Sequence, residues 1–294
     1  MLFRPLRQIA DKFNQLQMGI VAGERVFKVI DTESFIRKEG SIDASNIQGN
    51  IEFNQVRFSY IKNEEVLKGI SFQVQKGQTV AIVGATGAGK STIINLINRF
   101  YEIDNGVISV DNISVKEYEL ASLRNQIAIV LQDVFLFSDS IYNNITLKNS
   151  QITPEEVEEA AKKIGIHHFI MTLPGGYHYN VKERGVMLSS GQRQLIAFLR
   201  AYVSKPRILI LDEATSSVDS HAEKLIQFAT DTITKGRTSI VIAHRLATIK
   251  KADKIIVMNK GVIVEEGTHK ELLKKKDGYY KNLFDKQFSL ELAS

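Results

Sequence analysis

The residues best suited to chemistry fall in three short stretches that combine glycines, hydroxyls, a lysine and paired acids. Residues 84–91 read GATGAGKS, which satisfies G-x-x-x-x-G-K-[ST]. The glycines Gly84, Gly87 and Gly89 let main-chain N–H groups converge on phosphate oxygens, so Thr86, Gly87, Ala88, Gly89, Lys90, Ser91 and Thr92 can present amides to a polyphosphate. Lys90 would reach the terminal phosphates, and the Ser91 hydroxyl suits Mg²⁺. In RILILDEATSSVD (207–219) an apolar run ends in two acids. Asp212 can hold Mg²⁺ through its hydration shell, and Glu213 can orient or deprotonate a water. Alone, such a doublet is commonly a helix cap; beside a phosphate loop it extends binding toward hydrolysis. The third stretch, LSSGQRQLIAFLRA (188–201), opens a helix with Ser189, Ser190, Gly191 and Gln192. Hydroxyls and N–H groups at a helix's positive end make a second anion site, although an ordinary serine-capped helix reads the same way.

Positioning these groups requires strands that end where the motifs begin. TVAIVG (79–84) reads as a short buried strand and STIINLINRF (91–100) as a helix, so the phosphate loop joins strand to helix. RILILD (207–212) and TSIVIAH (238–244) are two more apolar strands with a helix from about 220 to 233 between them, and KIIVMNKGVIVEEG predicts a hairpin turning at Lys260 and Gly261. Strands interleaved with helices predict a largely parallel sheet covered on both faces. Earlier, IEFNQVRFSY and ISFQV have hairpin grammar, while Leu120 to Leu199 reads as mostly helical, with a helix start at Thr153-Pro154-Glu155-Glu156 and a break at Pro174-Gly175-Gly176. Leu6, Ile9, Phe13, Leu16 and Ile20 predict a first helix with a narrow apolar stripe, residues 31–50 a polar connector, and Ile51 the start of the domain proper. The end of the chain, from KELLKKKDGYY onward, reads as an amphipathic helical tail whose Lys274–Lys276 run is a solvated face.

Composition bounds the function classes. The 294 residues are 44% hydrophobic and 24% charged, which excludes disorder. Zero cysteines exclude disulfides, cysteine-ligated zinc and a cysteine nucleophile. A net charge of +5 tolerates nucleotides, polyanions or an anionic membrane surface without demanding any of them. No apolar run approaches the roughly 18 to 20 residues of a membrane helix, and Arg4, Arg7, Asp11 and Lys12 interrupt the place where a signal peptide would be apolar. The isolated chain is therefore expected to be soluble.

Phosphate loop, acidic doublet and LSSGQ together resemble the nucleotide-binding domain of ATP-binding cassette transporters of the exporter type, over residues 51–290. The resemblance implies an α/β fold: a P-loop NTPase core with a mostly parallel sheet, an antiparallel β subdomain and an inserted α-helical subdomain at about 133–200. It makes Tyr60 the aromatic that stacks on adenine with Val66 alongside, Gln132 a ligand near Mg²⁺ and water, His244 the switch that holds the γ-phosphate, Asp219 part of a loop crossing to a partner, and LSSGQ the signature motif. Glu213, His244 and Lys90 become the catalytic set, with ATP and Mg²⁺ as cofactors. Two departures stand out: Ser190 where the family usually has glycine, and Lys182 in place of the glycine common before Glu-Arg-Gly. The first 30 residues look like the cytoplasmic end of an exporter's last membrane helix. The implied partners are a second nucleotide-binding domain, head to tail and favouring equal subunits, and a transmembrane domain of the same polypeptide. That places the intact protein at the cytoplasmic face of the plasma (inner) membrane. The modest charge argues against a nucleic-acid clamp of the same ATPase class, the N-terminal helix against a separate importer subunit, and Glu213 with His244 against a module that binds ATP without hydrolysing it.

Overall fold

A computed structural model describes residues 3–32, 36, 40–212, 220–243 and 245–288. The chain divides into two compact units, Met1–Arg37 and Lys38–Ser294. The first is one helix, α1 (Phe3–Ile30), in which the predicted stripe is real but none of its residues is buried. Its last turn closes with the Asp31 N–H on the Phe27 carbonyl at 2.7 Å and the Thr32 hydroxyl on the Lys28 carbonyl at 2.6 Å.

The second unit contains strands β1 (Ile51–Ser59), β2 (Glu65–Val74), β3 (Thr79–Gly84), β4 (Asn105–Val110), β5 (Ile113–Ser114), β6 (Ile127–Val130), β7 (Ile208–Asp212), β8 (Thr238–Ile242), β9 (Lys254–Asn259) and β10 (Val262–Gly267). Its helices are α2 (Lys90–Ile97), α3 (Leu120–Asn125), α4 (Ile141–Thr146), α5 (Pro154–Lys163), α6 (His167–Thr172), α7 (Ser190–Val203), α8 (Ser220–Thr234), α9 (Leu246–Lys251), α10 (His269–Lys274) and α11 (Tyr279–Phe288). Four strands form an antiparallel sheet in the order β2-β1-β4-β5; six form the main sheet in the order β10-β9-β3-β8-β7-β6, parallel except for β10.

Period-two alternation divides the main sheet's side chains between two cores. Val80, Ile82, Ile208, Ile210, Ile240 and Ile242 pack with Phe53, Leu67 and Ile93 of the antiparallel sheet and α2. Their neighbours Ala81, Val83, Leu209, Leu211 and Val241 face Leu195, Phe198 and Ile226 of the helical side. Each such aliphatic or aromatic side chain, fully withdrawn from water, contributes about 1.5–3 kcal/mol. The sheet is therefore clamped from both sides, and its strand ends form a rigid edge.

Several elements depart from the sequence expectation. β5 and β6 carry too few residues for periodicity to reveal them, β4 is half exposed and lacks a continuous apolar run, and β6 interrupts the stretch expected to be mostly helical. The connector expected to run to Asn50 is part of the domain from about residue 40. Ala44 and Ile47 are buried in the antiparallel-side core, and the Asp111 carboxylate accepts N–H groups from Gln48, Gly49 and Asn50. Burial raises the Asp111 carboxyl, but these amide donors, led by Asn50, bring it below its ordinary value. The helical tail is two helices, because Asp277 at φ 56° and Gly278 break it and the Glu265 carboxylate accepts the Tyr279 and Tyr280 N–H groups that open α11. The Lys260–Gly261 hairpin turn is present, both residues at positive φ (47° and 85°).

Candidate functional site

The phosphate loop leaves the sheet at Gly84, the last residue of β3, which pairs with Met258 of β9. A Cβ at Gly84 would stand 2.3 Å from the Met258 carbonyl oxygen, so the loop can lift off the sheet only from a glycine. Gly87, at φ 78°, has open space around it and serves the turn alone. Gly89, at φ 98°, is the N-cap of α2 and sits where a Cβ would come within 2.8 Å of Leu67 Cδ2. Ala85, Thr86 and Gly87 form the exposed crest, while Ala88, Gly89 and Lys90 are buried. Six of the eight residues of α2 are buried, which fixes the axis of the helix whose first N–H groups lie beneath the loop.

Lys90 Nζ donates to the Gly84 and Ala85 carbonyls at 2.7 and 3.0 Å. Burial lowers its pKa, opposed by the Asp212 carboxylate. Asp212, at the end of β7, has its pKa raised by burial against the pull of Lys90, and Asp133 adds to the rise. Lys90 and Asp212 therefore act on each other electrostatically. Asp133 was missed; it follows Gln132, and no motif marks it.

Strand register brings the motif ends to one edge. Ile82 pairs with Ile242, Ile242 with Asp212, and Leu211 with Val130, so Gly84, Asp212 and the exposed Gln132 all follow strand ends at the carboxyl edge of the parallel sheet. Ligands collect at that edge in open α/β sheets. Ser91 is exposed beside the loop, and Thr92 is buried. Glu213, Asp219 and His244 lie outside the described residues.

Tyr60 follows β1 and is half exposed, its hydroxyl donating to Thr92 Oγ1 at 3.3 Å. Tyr60, Ile61, Val66, Lys68, Gly87 and Lys260 line one open groove of about 610 Å³. The expected base-binding pair, Tyr60 and Val66, thus shares a groove with the crest of the phosphate loop. Lys260 was not foreseen, because its β9–β10 turn lies far away in sequence. Hydrogen bonds from the Gly261 N–H to the Ala88 carbonyl (3.2 Å) and from the Lys68 N–H to the Gly261 carbonyl (2.9 Å) bring it there.

The LSSGQ segment is separate from that groove. Ser189 caps α7 with its hydroxyl on the Gln192 N–H (3.2 Å), and Gln192 Oε1 accepts the Ser189 N–H (2.9 Å). The serine-capped helix is what the structure shows: the capping box occupies the Ser189 hydroxyl and the Gln192 amide, and the Gly191 N–H of the first turn lies outside it. Just upstream, Lys182 adopts φ 60°, ψ −172°, a conformation almost reserved for glycine, the residue that the resemblance leads one to expect there.

Comparison with known proteins decides the family. Residues 67–216 match the model of the ABC transporter family. The chain belongs to this family. The chain is 46% identical over 98% of its length to the uncharacterized ABC transporter ATP-binding protein YknV of Bacillus subtilis (strain 168), covering 48% of that protein. It is 45% identical over 96% of its length to the putative multidrug export ATP-binding/permease protein YgaD of the same organism, covering 49% of it. A solved bacterial Atm1-family ABC exporter with ATP bound superposes with a TM-score of 0.81 at 38% identity, over 97% of this chain and 50% of that one. The chain spans about half the length of the relatives it matches. It is an ABC-type nucleotide-binding ATPase domain, similar over almost its whole length to parts of proteins named as exporters. YgaD is named for both an ATP-binding and a permease part, and no helix among the described residues of this chain is long and apolar enough to cross a membrane.

Proposed function

We propose that this ABC domain hydrolyses Mg·ATP between two head-to-tail copies and so powers export by a transmembrane part of the same polypeptide at the cytoplasmic face of the plasma membrane. The observation that carries the binding half is the groove that joins Tyr60 and Val66 to Gly87 on the phosphate loop. A base stacks on Tyr60 and the triphosphate runs over residues 86–92, where α2 amides and Lys90 neutralise it. To bind, Lys90 exchanges its two carbonyl partners for phosphate oxygens.

The donor set fits a hard divalent cation: the Ser91 hydroxyl is in the first turn of α2 after the phosphate loop, and the Asp212 carboxylate and the Gln132 amide oxygen belong to residues at or just past strand ends of the main sheet. When bound, Mg²⁺ offsets charge on the β- and γ-phosphates. Glu213 orients the attacking water and accepts its proton, and His244 holds the γ-phosphoryl oxygens in line. Ser189–Gln192 of the second copy closes over the γ-phosphate, Gly191 supplying an amide and Ser190 a hydroxyl, while Asp219 crosses toward that copy. Equal subunits are favoured because each chain carries the full set of motifs. The unburied stripe of α1 then packs on the membrane part.

The test is turnover. The Glu213→Gln chain should keep ATP affinity, lose about 10²–10⁴-fold in hydrolysis rate and accumulate as an ATP-bound dimer in size exclusion. Near-normal turnover would remove Glu213 as the base, and a monomeric elution with bound ATP would remove the paired arrangement.

A further inference from the structure

Tyr60 is held by more than its backbone. Its ring meets Phe58 edge-on at 4.7 Å and 86° and Tyr101 at 5.0 Å and 88°, which fixes the ring plane on two sides. Its hydroxyl donates to Thr92 Oγ1 at 3.3 Å and accepts from Asn95 Nδ2 at 3.0 Å. Thr92 and Asn95 are three residues apart and present neighbouring positions on one face of α2. The helix that opens at the phosphate loop therefore also anchors the aromatic that lines the groove.

From this geometry we infer that Asn95 is a positioning residue for base recognition: its amide locks the Tyr60 hydroxyl and so fixes the ring against which the base packs. The inference rests on the proposed stacking of the base on Tyr60. Asn95 touches the Tyr60 hydroxyl rather than the polyphosphate path, so its effect is confined to the base. The chemistry also explains a polar side chain here. A leucine at 95 would fill similar space and support α2 equally well, yet would leave the phenol hydroxyl with one partner instead of two.

Two probes separate positioning from a general effect on α2. Inorganic tripolyphosphate carries the charge of ATP without a base, so it reports the phosphate loop alone. For the 294-residue chain with Mg²⁺, calorimetric titration should show Asn95→Leu binding ATP about three- to tenfold more weakly, the range of one lost net hydrogen bond, with tripolyphosphate affinity unchanged. KM for ATP should rise by the same factor at constant kcat. Tyr60→Phe removes this bond together with the one to Thr92, so it should weaken ATP at least as much as Asn95→Leu, and the double variant should be no weaker than Tyr60→Phe alone. Asn95→Ala, which removes only the Asn95 bond, decides the matter if Asn95→Leu does not fold. Equal weakening of ATP and tripolyphosphate, or no weakening of ATP, overturns the inference. Tyr60→Ala isolates the underlying reading. If it keeps the preference of ATP over tripolyphosphate, stacking itself is wrong; if it loses that preference while Asn95→Leu keeps it, only the role of Asn95 falls.

Discussion

One methyl group, added at two glycines of the same loop, should have very different consequences. At Gly87 a Cβ meets nothing within 4 Å, and the only cost is the left-handed conformation at φ 78°. That strain is about 1–2 kcal/mol, and about 0.4–1 kcal/mol returns because alanine has fewer unfolded conformations to lose. Gly87→Ala should therefore destabilise the chain by about 1 kcal/mol. At Gly84 the methyl would lie 2.3 Å from the carbonyl oxygen of Met258, its own ladder partner and a fully buried residue of β9. A carbonyl in a ladder cannot turn away as a side chain can, so the cost should reach the upper end of overpacking, about 3 kcal/mol. Urea unfolding followed by circular dichroism measures both. With a slope near 3 kcal/mol per molar, the midpoint should fall by about 0.3 M for Gly87→Ala and about 1 M for Gly84→Ala. Adding ATP at a hundred times its Kd stabilises the unsubstituted chain by about 2.7 kcal/mol, and Gly84→Ala, with its loop pushed off β9, should lose most of that increment. Equal midpoints for the two variants, or a Gly84→Ala chain with unaltered stability and ATP response, would refute the claim that close approach to β9 sets the loop.

Two further outcomes follow from charges. Lys90→Ala should weaken ATP binding about ten- to hundredfold in calorimetry, the worth of charge-assisted hydrogen bonds to phosphate; unchanged affinity would mean that the ammonium stays on the Gly84 and Ala85 carbonyls. Asp139 is held at about 2 by the Asn143 side chain, the Ser140 N–H and Lys148, against an ordinary value of 3.8. A depressed carboxyl stabilises the fold above its unfolded pKa and stops doing so as pH falls through its folded one. Asp139→Asn should therefore lower the urea midpoint at pH 7, and the gap to the unsubstituted chain should close between about pH 4 and pH 2; a gap undiminished at pH 2.5 would contradict the assigned partners.

The sequence alone determined those features whose cause is local. GATGAGKS identified the phosphate loop because the spacing of glycines, lysine and serine is a local pattern, but the structure shows that Gly84 and Gly89 are required by long-range neighbours, Met258 and Leu67. The buried runs at 79–84, 208–212 and 238–242 were legible as strands because continuous burial leaves a continuous apolar signature, and Lys260–Gly261 was legible as a turn because few residue types accept positive φ. Tertiary structure decided what depends on pairing across long stretches of chain. β6 is four residues and becomes a strand only by lying against β7. Asp133 and Lys260 reach the site through register and hairpin docking, to which no motif responds. The polar connector joins the domain because Asp111, some sixty residues away, gathers its amides. Ser189 and Gln192 carried a local signal with two meanings, and only coordinates showed that they satisfy each other. A short motif records the conformation of its own backbone; which motifs become neighbours is set by hydrogen-bonded register and by two cores that fill only when the whole sheet is assembled.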